Sequence, residues 1–272
     1  MLRKFGFSLK RLWYKRWSPK ISLSLVILNI SDACNRSCYM CPRSQGYKHN
    51  PTLPMYMEEK TIENIGKGLG KEYDGVIALS GIGEPLLHPN IKNIIKQLKT
   101  LCPESHILII TNGDFLTNDI IKMPEVWFIN ISCYEEDNYY RLKEKYKNCN
   151  NIYLMEQYDE KHLDCPYNNR AGNAGPEAHL DLCCIMPFFQ MMIDTDGRVY
   201  PCSSDWGREH PYGNINNENI YDIFINNMDD LRKDLLNKRR HLTPICKKCD
   251  GKGMNKRLMN LWKYYYTNKD DK

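Results

Sequence analysis

The stretch ISLSLVILNISDACNRSCYMC, residues 21–41, joins an apolar run to three closely spaced cysteines. The run is rich in leucine and isoleucine, a composition that favours a buried strand. Cys34, Cys38 and Cys41 follow it with the spacing C-x3-C-x2-C. Three thiolates on one short loop suit zinc or an iron–sulfur cluster, and they leave the centre one protein ligand short of four. Such a site has an open position for a substrate or cofactor.

Strand-like and helix-like segments alternate beyond this stretch. The strand-like runs lie at 75–80, 106–112, 126–132 and 151–157, and helix-like segments lie at 58–71 and 90–100. The runs lack the strict alternation of a half-exposed strand, which is typical of parallel strands covered on both faces. We therefore predict an α/β fold with a parallel sheet or barrel. Its functional site should lie where the strands end.

The composition changes near residue 165. The segment CPYNNRAGNAGPEAHLDL, residues 165–182, is rich in Gly, Asn and Pro and indicates a loop. Two strand-like runs then flank Asp196-Gly197, a strong hairpin signal, and residues 219–240 have helical periodicity. We predict a core over residues 21–165 and a small α+β domain with a C-terminal helix over residues 166–272.

Length and composition exclude several classes of protein. A chain of 272 residues with 42% hydrophobic residues can bury a substantial core. No window approaches the roughly 18 apolar residues of a membrane-spanning helix. The chain also lacks a secretory signal pattern, so we expect reduced thiols and a cytoplasmic location.

Residues 1–20 carry seven Lys and Arg residues and no acidic residue. Their apolar residues recur at spacings of three and four, so a helix here would set an aromatic stripe against a basic face. The alternatives are peripheral contact with the inner membrane face and a solvated arm that packs on the main domain. No nucleic-acid-binding signature accompanies the arm, and we expect no nucleic acid partner.

The segment CNRSCYMC, residues 34–41, resembles the signature loop of radical S-adenosylmethionine (SAM) enzymes. In that family the three cysteines hold a [4Fe–4S] cluster whose fourth iron binds SAM. The resemblance implies a partial (β/α)6-type TIM barrel. It also implies that one electron splits SAM into methionine and a 5′-deoxyadenosyl radical, which abstracts a hydrogen atom from a substrate.

Further motifs match that family in the same order along the chain. Residues 81–85, GIGEP, resemble the Gly-Gly-Glu-Pro element whose backbone binds the SAM amino group, although Ile82 replaces one glycine. Positions 112 and 132 fall where the family contacts the SAM ribose and carboxylate, and position 40 falls beside the adenine. The resemblance therefore assigns cofactor contacts to Met40, Gly81, Gly83, Glu84, Asn112 and Ser132.

A second cysteine set has the spacing C-x17-C-x43-C-x2-C and consists of Cys184, Cys202, Cys246 and Cys249. Four thiolates make a closed site. Considered without the first cysteine loop, this set would suit a structural zinc ion. Beside a radical SAM loop, however, the predicted domain over residues 166–272, here called the tail, resembles the twitch domain. The twitch domain is the short form of the SPASM extension. That resemblance implies one auxiliary [4Fe–4S] cluster held by these four residues. Cys183 is adjacent and is the alternative to Cys184.

The segments TNGDFLT and NRAG and the tail cysteines are similar to those of radical SAM dehydrogenases acting on aminocyclitols. The resemblance implies that a carbinol carbon is oxidised to a ketone and that the auxiliary cluster accepts the second electron. Arg170 matches a residue placed at the substrate hydroxyl. Its guanidinium is a poor base, so we predict that it orients the hydroxyl. The alternative is a loop arginine paired with an acid.

Other functions remain open at this point. Cys133 follows Ser132 at a predicted strand end and could donate a hydrogen atom, which would make the enzyme an epimerase. Related extensions also occur in ribosomal-peptide maturases, and a non-enzymatic metal-binding module is a further alternative. If the protein is a dehydrogenase, its expected partners are a sugar or aminocyclitol substrate and an external one-electron reductant of the flavodoxin or ferredoxin type.

Overall fold

The computed structural model describes residues 22–48, 50, 52–158, 168–180, 182 and 184–251. The basic arm, Cys165, Cys183 and the C-terminal residues 252–272 lie outside this part of the chain. So does the predicted domain boundary between residues 165 and 166. No helix in the described part is both long enough and apolar enough to cross a bilayer.

The described strands form one mixed sheet. They are β1 (Leu25–Leu28), β2 (Val76–Leu79), β3 (His106–Thr111), β4 (Val126–Cys133), β5 (Ile152–Glu156), β6 (Gln190–Ile193), β7 (Arg198–Tyr200) and β8 (Gly213–Asn214). Their order is β5-β4-β3-β2-β1-β6-β7-β8. The pairs from β5 to β6 are parallel, and β7 and β8 are antiparallel additions. The predicted α/β class with a parallel core sheet is thus confirmed.

Helices connect the strands of the core. They are α1 (Glu59–Leu69), α2 (Ile91–Leu101), α3 (Asn118–Ile121) and α4 (Glu136–Lys145), followed in the tail by α5 (Ile220–Asp222) and α6 (Asp229–Leu236). Helix α1 shows why these segments form: Ile62, Ile65 and Leu69 recur at spacings of three and four and are all buried. This apolar stripe faces the sheet and leaves the charged residues in solvent. A π-helical turn, Ile223–Asn227, follows α5.

Strand β6 extends the core sheet, which the sequence did not predict. The hairpin at Asp196-Gly197 is present, and Gly197 has the left-handed φ of 84° that such a turn requires. Beyond the hairpin, β6 pairs with β1 from Leu25↔Gln190 to Leu28↔Ile193. Strand β1 is buried, so the backbone groups on both of its edges need partners. The tail supplies the second set of partners.

The two faces of the parallel sheet have different neighbours. The outer face packs against the helices and includes Leu28, Ile77, Ile109, Ile131 and Cys133. The inner face forms a second apolar cluster and includes Ile27, Ala78, Leu108, Phe128 and Met192. Cys41 and Tyr47 pack against this second cluster. The first cysteine loop therefore lies over the inner face, at the carboxyl ends of the strands.

Candidate active site

The cysteine loop, residues 31–46, follows β1 and is held in compact turns. The backbone N–H of Cys41 donates to the carbonyl of Cys38 at 2.8 Å, and that of Ser44 donates to Cys41 at 3.0 Å. A short 3-10 turn, Pro42–Gln45, ends at Gly46, whose φ of 92° closes it. These turns keep Cys38 and Cys41 close together.

The three thiols of this loop lie within electrostatic range of one another. The pKa of Cys38 is raised to about 11, first by burial and then by the neighbouring Cys41 and Cys34 sulfurs. Burial is also the main cause of the raised pKa of Cys34, to which Glu84 and Cys41 contribute. Three half-buried thiols this close together suit a cationic centre that stabilises all three thiolates.

Thiolates are the usual protein ligands of an iron–sulfur cluster, in which each cysteine binds a different iron. Among the described residues, no group of three or more His, Cys, Asp or Glu side chains is arranged to hold one metal ion. The three thiols of the loop suit the predicted cluster by the chemistry of their donor atoms.

The loop after β2 passes very close to the cysteine loop. A Cβ at Gly83 would overlap the carbonyl oxygens of Ser31 and Ala33, so only glycine permits this approach. The backbone N–H of Glu84 donates to the same Ala33 carbonyl at 2.8 Å. Gly83, a predicted cofactor contact, is thus next to the base of the cysteine loop, and Gly81, the other, lies against the Asn29 side chain at the end of β1.

The Glu84 carboxylate fastens the end of β2 to the end of β3. Its Oε1 accepts from the backbone N–H of Leu86 at 3.0 Å and from the Thr111 hydroxyl at 2.6 Å. Its Oε2 accepts from the backbone N–H of Asn112 at 2.9 Å. Burial raises the pKa of Glu84 despite these donors. In this arrangement the carboxylate positions Asn112.

The loop after β3 clamps the first half of the cysteine loop. The Asn112 amide donates to Asn35 Oδ1 at 2.9 Å, and the Asn35 amide donates to Asp114 Oδ2 at 2.6 Å. Arg36 Nε also donates to Asp114 Oδ2 at 2.6 Å. The roles of Asn35, Arg36 and Asp114 were not predicted. The only sequence signal for them is a charged residue in each of two loops that follow neighbouring strands.

Tyr134 is a second site residue that the sequence analysis missed. It lies just beyond the end of β4, and its hydroxyl shares a hydrogen bond with the Ser132 side chain. Burial raises the pKa of Tyr134 to about 12, and its hydroxyl is within electrostatic range of Cys38, Cys41 and Arg170. Tyr134 is therefore within electrostatic reach of both the cysteine loop and Arg170 of the tail.

The predicted residues near β4 and the cysteine loop differ in their placement. Ser132 is 8% exposed and shares the Tyr134 hydrogen bond. Met40 is half-buried and directly precedes Cys41. Cys133 is fully buried in the outer, helix-facing cluster. Successive residues of a strand point to opposite faces, so Cys133 lies on the face opposite Ser132.

Arg170 sits in a strained turn that is tied to Lys248, the residue before Cys249. Arg170 and Ala171 have left-handed φ angles of 46° and 55°, which for residues other than glycine cost about 1 kcal/mol or more each. Asn169 anchors the turn, because its amide donates to the Pro176 and Lys248 carbonyls at 2.8 and 2.7 Å. Such strain persists where the surrounding contacts impose it.

The Arg170 guanidinium is within electrostatic reach of residues at both cysteine sites. It partly offsets the rise in the pKa of the Tyr134 hydroxyl that burial causes, and this hydroxyl is itself within range of Cys38. On its other side it lowers the pKa of Cys202, which burial raises overall. Among the described residues, Arg170 is thus in electrostatic reach of Tyr134, beside the first cysteine loop, and of Cys202 in the tail.

The four tail cysteines also come together. Burial raises the pKa of Cys246, and the Cys184, Cys202 and Cys249 sulfurs raise it further. The backbone N–H groups of Ser204 and Gly251 donate to the sulfurs of Cys202 at 3.4 Å and Cys249 at 3.2 Å. Three sulfurs within range of the Cys246 sulfur, two of them accepting backbone hydrogen bonds, fit a closed four-cysteine cluster site.

A buried arginine accompanies the tail cysteines. Arg240 is 2% exposed and donates from Nη1 to the Gly251 carbonyl at 2.6 Å. Its charge lowers the pKa of both Cys246 and Cys249, against the larger opposing effect of burial. The guanidinium therefore offsets part of the negative charge that four thiolates would bring to this site.

Comparison with known proteins agrees with this geometry. Residues 28–133 match the radical SAM superfamily and residues 183–250 match the SPASM iron–sulfur cluster-binding domain. The S-adenosyl-L-methionine-dependent 2-deoxy-scyllo-inosamine dehydrogenase of Niallia circulans is 26% identical over 239 residues, which are 84% of this chain and 92% of that protein.

Solved structures share the fold. The crystal structure of BtrN in complex with AdoMet and 2-DOIA has a TM-score of 0.71 at 21% identity, over 84% of this chain and 93% of that one. Streptococcus suis SuiB bound to precursor peptide SuiA has a TM-score of 0.60 at 14% identity, over 93% of this chain and 75% of that one.

The fold and the open three-cysteine loop therefore define a radical SAM enzyme. More specifically, the chain combines a radical SAM domain with a C-terminal SPASM domain, and its cofactors are SAM and two [4Fe–4S] clusters.

Proposed function

We propose that this enzyme oxidises a secondary alcohol of a sugar or aminocyclitol to a ketone. The observation that carries the proposal is the position of Arg170, within electrostatic reach of Tyr134 and of Cys202. A substrate hydroxyl at Arg170 would lie between the two cysteine sites. The similarity to the Niallia circulans dehydrogenase over most of both chains supports the same reaction.

The cysteines divide into two ligand sets in this proposal. Cys34, Cys38 and Cys41 of the core, residues 21–165, hold the SAM-binding cluster. The tail, residues 166–272, holds the auxiliary cluster through Cys184, Cys202, Cys246 and Cys249. When bound, SAM and the first cluster supply the radical that removes a hydrogen atom from the substrate, and the second cluster accepts the remaining electron.

The SAM contacts in this proposal come from the loops around the first site. The backbone of Gly81 and Gly83 lies beside the cysteine loop, where it can accept from the SAM amino group. Glu84 acts indirectly, because its oxygens already bind Leu86, Thr111 and Asn112. The remaining proposed contacts are Met40, Asn112 and Ser132.

Arg170 and Tyr134 orient the substrate in this proposal. The guanidinium presents a planar fork of donors, so it donates to the substrate oxygen and stabilises it as the hydroxyl proton leaves for solvent. The Tyr134 hydroxyl has a pKa raised to about 12 by burial, so it also remains a donor. Two fixed donors favour a geometry in which the carbinol hydrogen faces the SAM site.

Epimerisation loses its supporting observation. That alternative needed Cys133 to return a hydrogen atom to the substrate from the side of Ser132. Cys133 is instead completely buried on the outer face, among Ile131 and other helix-facing residues. A thiol in that position cannot reach a substrate on the inner face without rearrangement of β4.

The proposal requires a source of electrons and a compartment with reduced thiols. We propose a flavodoxin or ferredoxin as the external one-electron reductant of the first cluster, and a cytoplasmic location. Both follow from the cluster chemistry, because exposed thiolate-bound clusters need a reducing environment.

The test is anaerobic incubation of the reconstituted enzyme with SAM, dithionite and a panel of sugars and aminocyclitols. A substrate should give ketone and 5′-deoxyadenosine in equal amounts. Arg170→Met should slow ketone formation about a hundredfold, whereas the control Arg239→Met, at an exposed arginine, should not. Full activity of Arg170→Met, or an inverted alcohol carrying solvent deuterium, would contradict the proposal.

A further inference from the structure

A buried ion pair joins the cysteine loop to the tail. Arg208 Nη2 lies 3.0 Å from Asp32 Oδ1, and Nη1 lies 3.3 Å from Oδ2, in a two-pronged contact. The side chains are 6% and 0% exposed. Asp32 precedes Cys34 by two residues, and Arg208 follows Cys202 by six. The pair therefore connects segments that carry ligands of the two proposed clusters.

The same guanidinium reaches the loop after β2 through a relay of buried groups. Arg208 Nε forms a 2.8 Å ion pair with Asp194 Oδ2. Asp194 Oδ1 accepts from the Asn29 amide at 2.7 Å. Asn29 Oδ1 in turn accepts from the backbone N–H groups of Ile82 and Gly83 at 3.0 and 3.4 Å. Arg208 thus contacts one side of the first site directly and the other through two residues.

The relay fixes the direction of a peptide group. The Ile82 N–H points at Asn29, and in a trans peptide the preceding carbonyl points the opposite way. The Gly81 carbonyl is therefore directed away from Asn29. The next carbonyl, that of Ile82, accepts from Arg43 Nε at 3.3 Å. The side chains of Asn29 and Arg43 consequently hold the backbone of this loop in one orientation.

Arg208 is itself held by the segment that begins at Cys202. Its backbone has a left-handed φ of 53°, unusual for a residue with a long side chain. Its N–H donates to Asp205 Oδ1 at 3.1 Å, and its carbonyl accepts from the Tyr200 hydroxyl at 3.1 Å. The Asp205 N–H donates to the Cys202 carbonyl at 3.2 Å. The strain and these contacts place the guanidinium between the two carboxylates.

Stability alone gives a weak reason for such a network. Two buried carboxylates and an arginine lose their hydration, and the attraction between buried charges often does no more than offset that cost. A network of this kind is better explained by the geometry that it imposes. Outer groups that orient the ligands of a metal site typically change metal affinity or activity by about 10–100-fold when they are removed.

We propose that Arg208 is a positioning residue for SAM. It holds the cysteine loop through Asp32, and it holds the Gly81 carbonyl through Asp194 and Asn29. The cysteine loop, which would leave one iron open to SAM, and the proposed acceptor for the SAM amino group thereby keep fixed positions relative to each other. This inference rests on the proposed placement of SAM at the first cluster, and it is independent of the substrate.

The test is a SAM titration of the reduced, reconstituted holoenzyme, followed by the change in the electron paramagnetic resonance signal of the first cluster. Arg208→Met should weaken SAM binding by about 10–100-fold while the iron content stays at the wild-type value. Arg208→Lys should be intermediate, since one ammonium cannot span both carboxylates as the planar fork does. Asp194→Asn should weaken SAM binding in the same direction.

Arg232→Lys is the matched control. Arg232 is also buried, at 1% exposure, and donates to the carbonyls of Pro187 at 2.8 Å and Ile225 at 3.1 Å. Its replacement should lower stability and leave SAM binding unchanged.

Two results would overturn the inference. One is a wild-type SAM titration in Arg208→Met, or in Arg208→Lys if the first variant does not fold. The other is loss of iron from the first cluster in every network variant, because the network would then retain the cluster rather than position SAM. The titration contains no substrate, so a failure of the dehydrogenase proposal appears only in product assays and is distinguishable.

Discussion

The Arg36 guanidinium donates two parallel hydrogen bonds to the Asp114 carboxylate, from Nε to Oδ2 at 2.6 Å and from Nη2 to Oδ1 at 2.5 Å. This fork joins the cysteine loop, between Cys34 and Cys38, to the loop after β3. The charges lie close to each other, which raises the pKa of Arg36 and lowers that of Asp114. The cysteine loop is thus held both by Asp114 in the loop after β3 and by Arg208 in the tail.

Asp114→Ala should make the first cluster easier to remove. The cysteine loop would lose the bonds of Asn35 and Arg36 to Asp114 and keep the bond between Asn35 and Asn112, so its thiols would sample more positions. We expect iron of the first cluster to transfer to a chelator several-fold faster, while the second cluster is unaffected. Asp119→Ala is the control, since Asp119 forms an exposed pair with Lys92 that contributes little. Equal chelation rates for Asp114→Ala and the wild type would refute this role.

Removing either cysteine set should remove one cluster. Cys38→Ala/Cys41→Ala and Cys246→Ala/Cys249→Ala should each reduce the iron content from about eight to about four per chain. Only the first pair should abolish the spectroscopic response to SAM. Cys149→Ser, which changes a half-buried thiol outside both sites, should retain all of the iron. Iron analysis that shows no loss in the second pair would rule out a cluster at the tail site.

Tyr134→Phe should uncouple SAM cleavage from ketone formation. The change removes one hydroxyl beside Ser132 and Arg170 and leaves the ring. We expect ketone formation to fall about tenfold, and the ratio of 5′-deoxyadenosine to ketone to rise above that of the wild type. Tyr140→Phe changes a ring that is 56% exposed and should have no effect. An unchanged product ratio in Tyr134→Phe would exclude this role.

Arg240→Met should lower the reduction potential of the second cluster. Reduction adds negative charge, which the guanidinium beside Cys246 and Cys249 stabilises. Loss of one nearby charge should shift the potential by roughly 30–100 mV toward negative values. Arg240→Lys should restore most of the difference, and Arg239→Met should show none, because Arg239 pairs with Asp234 at the surface. A redox titration that gives equal potentials for Arg240→Met and the wild type would count against this placement of charge.

His88 should make stability depend on pH below neutrality. Its Nε2 donates to the Met57 carbonyl at 3.1 Å and its Nδ1 accepts from the Asn90 N–H at 3.1 Å, so the folded state holds a neutral ring. Burial lowers the pKa of His88. The unfolded state then binds more protons below about pH 6.5, and stability is lost as the pH falls, by up to about 1 kcal/mol per unit.

The measurement for His88 is denaturant unfolding between pH 8 and pH 5.5. His88→Gln should show a smaller loss of unfolding free energy over this range than the wild type. His210→Gln, which replaces an exposed histidine, should show the wild-type loss. If His88→Gln and the wild type lose stability in parallel, the neutral ring does not control this dependence.

Local patterns in the sequence were sufficient for the class of protein. The cysteine spacing at 34, 38 and 41 is local, since ligands on one short loop need no tertiary contact to be recognised. The buried runs predicted the parallel strands because their apolar character depends only on which faces are covered. The hairpin at Asp196-Gly197 followed from the backbone preference of two adjacent residues.

Tertiary structure alone decided how the two cysteine sites are connected. Asp32 and Arg208 are 176 positions apart, and nothing in the residues around either one identifies its partner. The pairing of β6 with β1, the fork between Arg36 and Asp114 and the nearness of Tyr134 to Arg170 depend in the same way on which strand ends meet. Periodicity and spacing report on neighbours along the chain, whereas these contacts arise when burial brings distant polar groups together and requires each of them to find a partner.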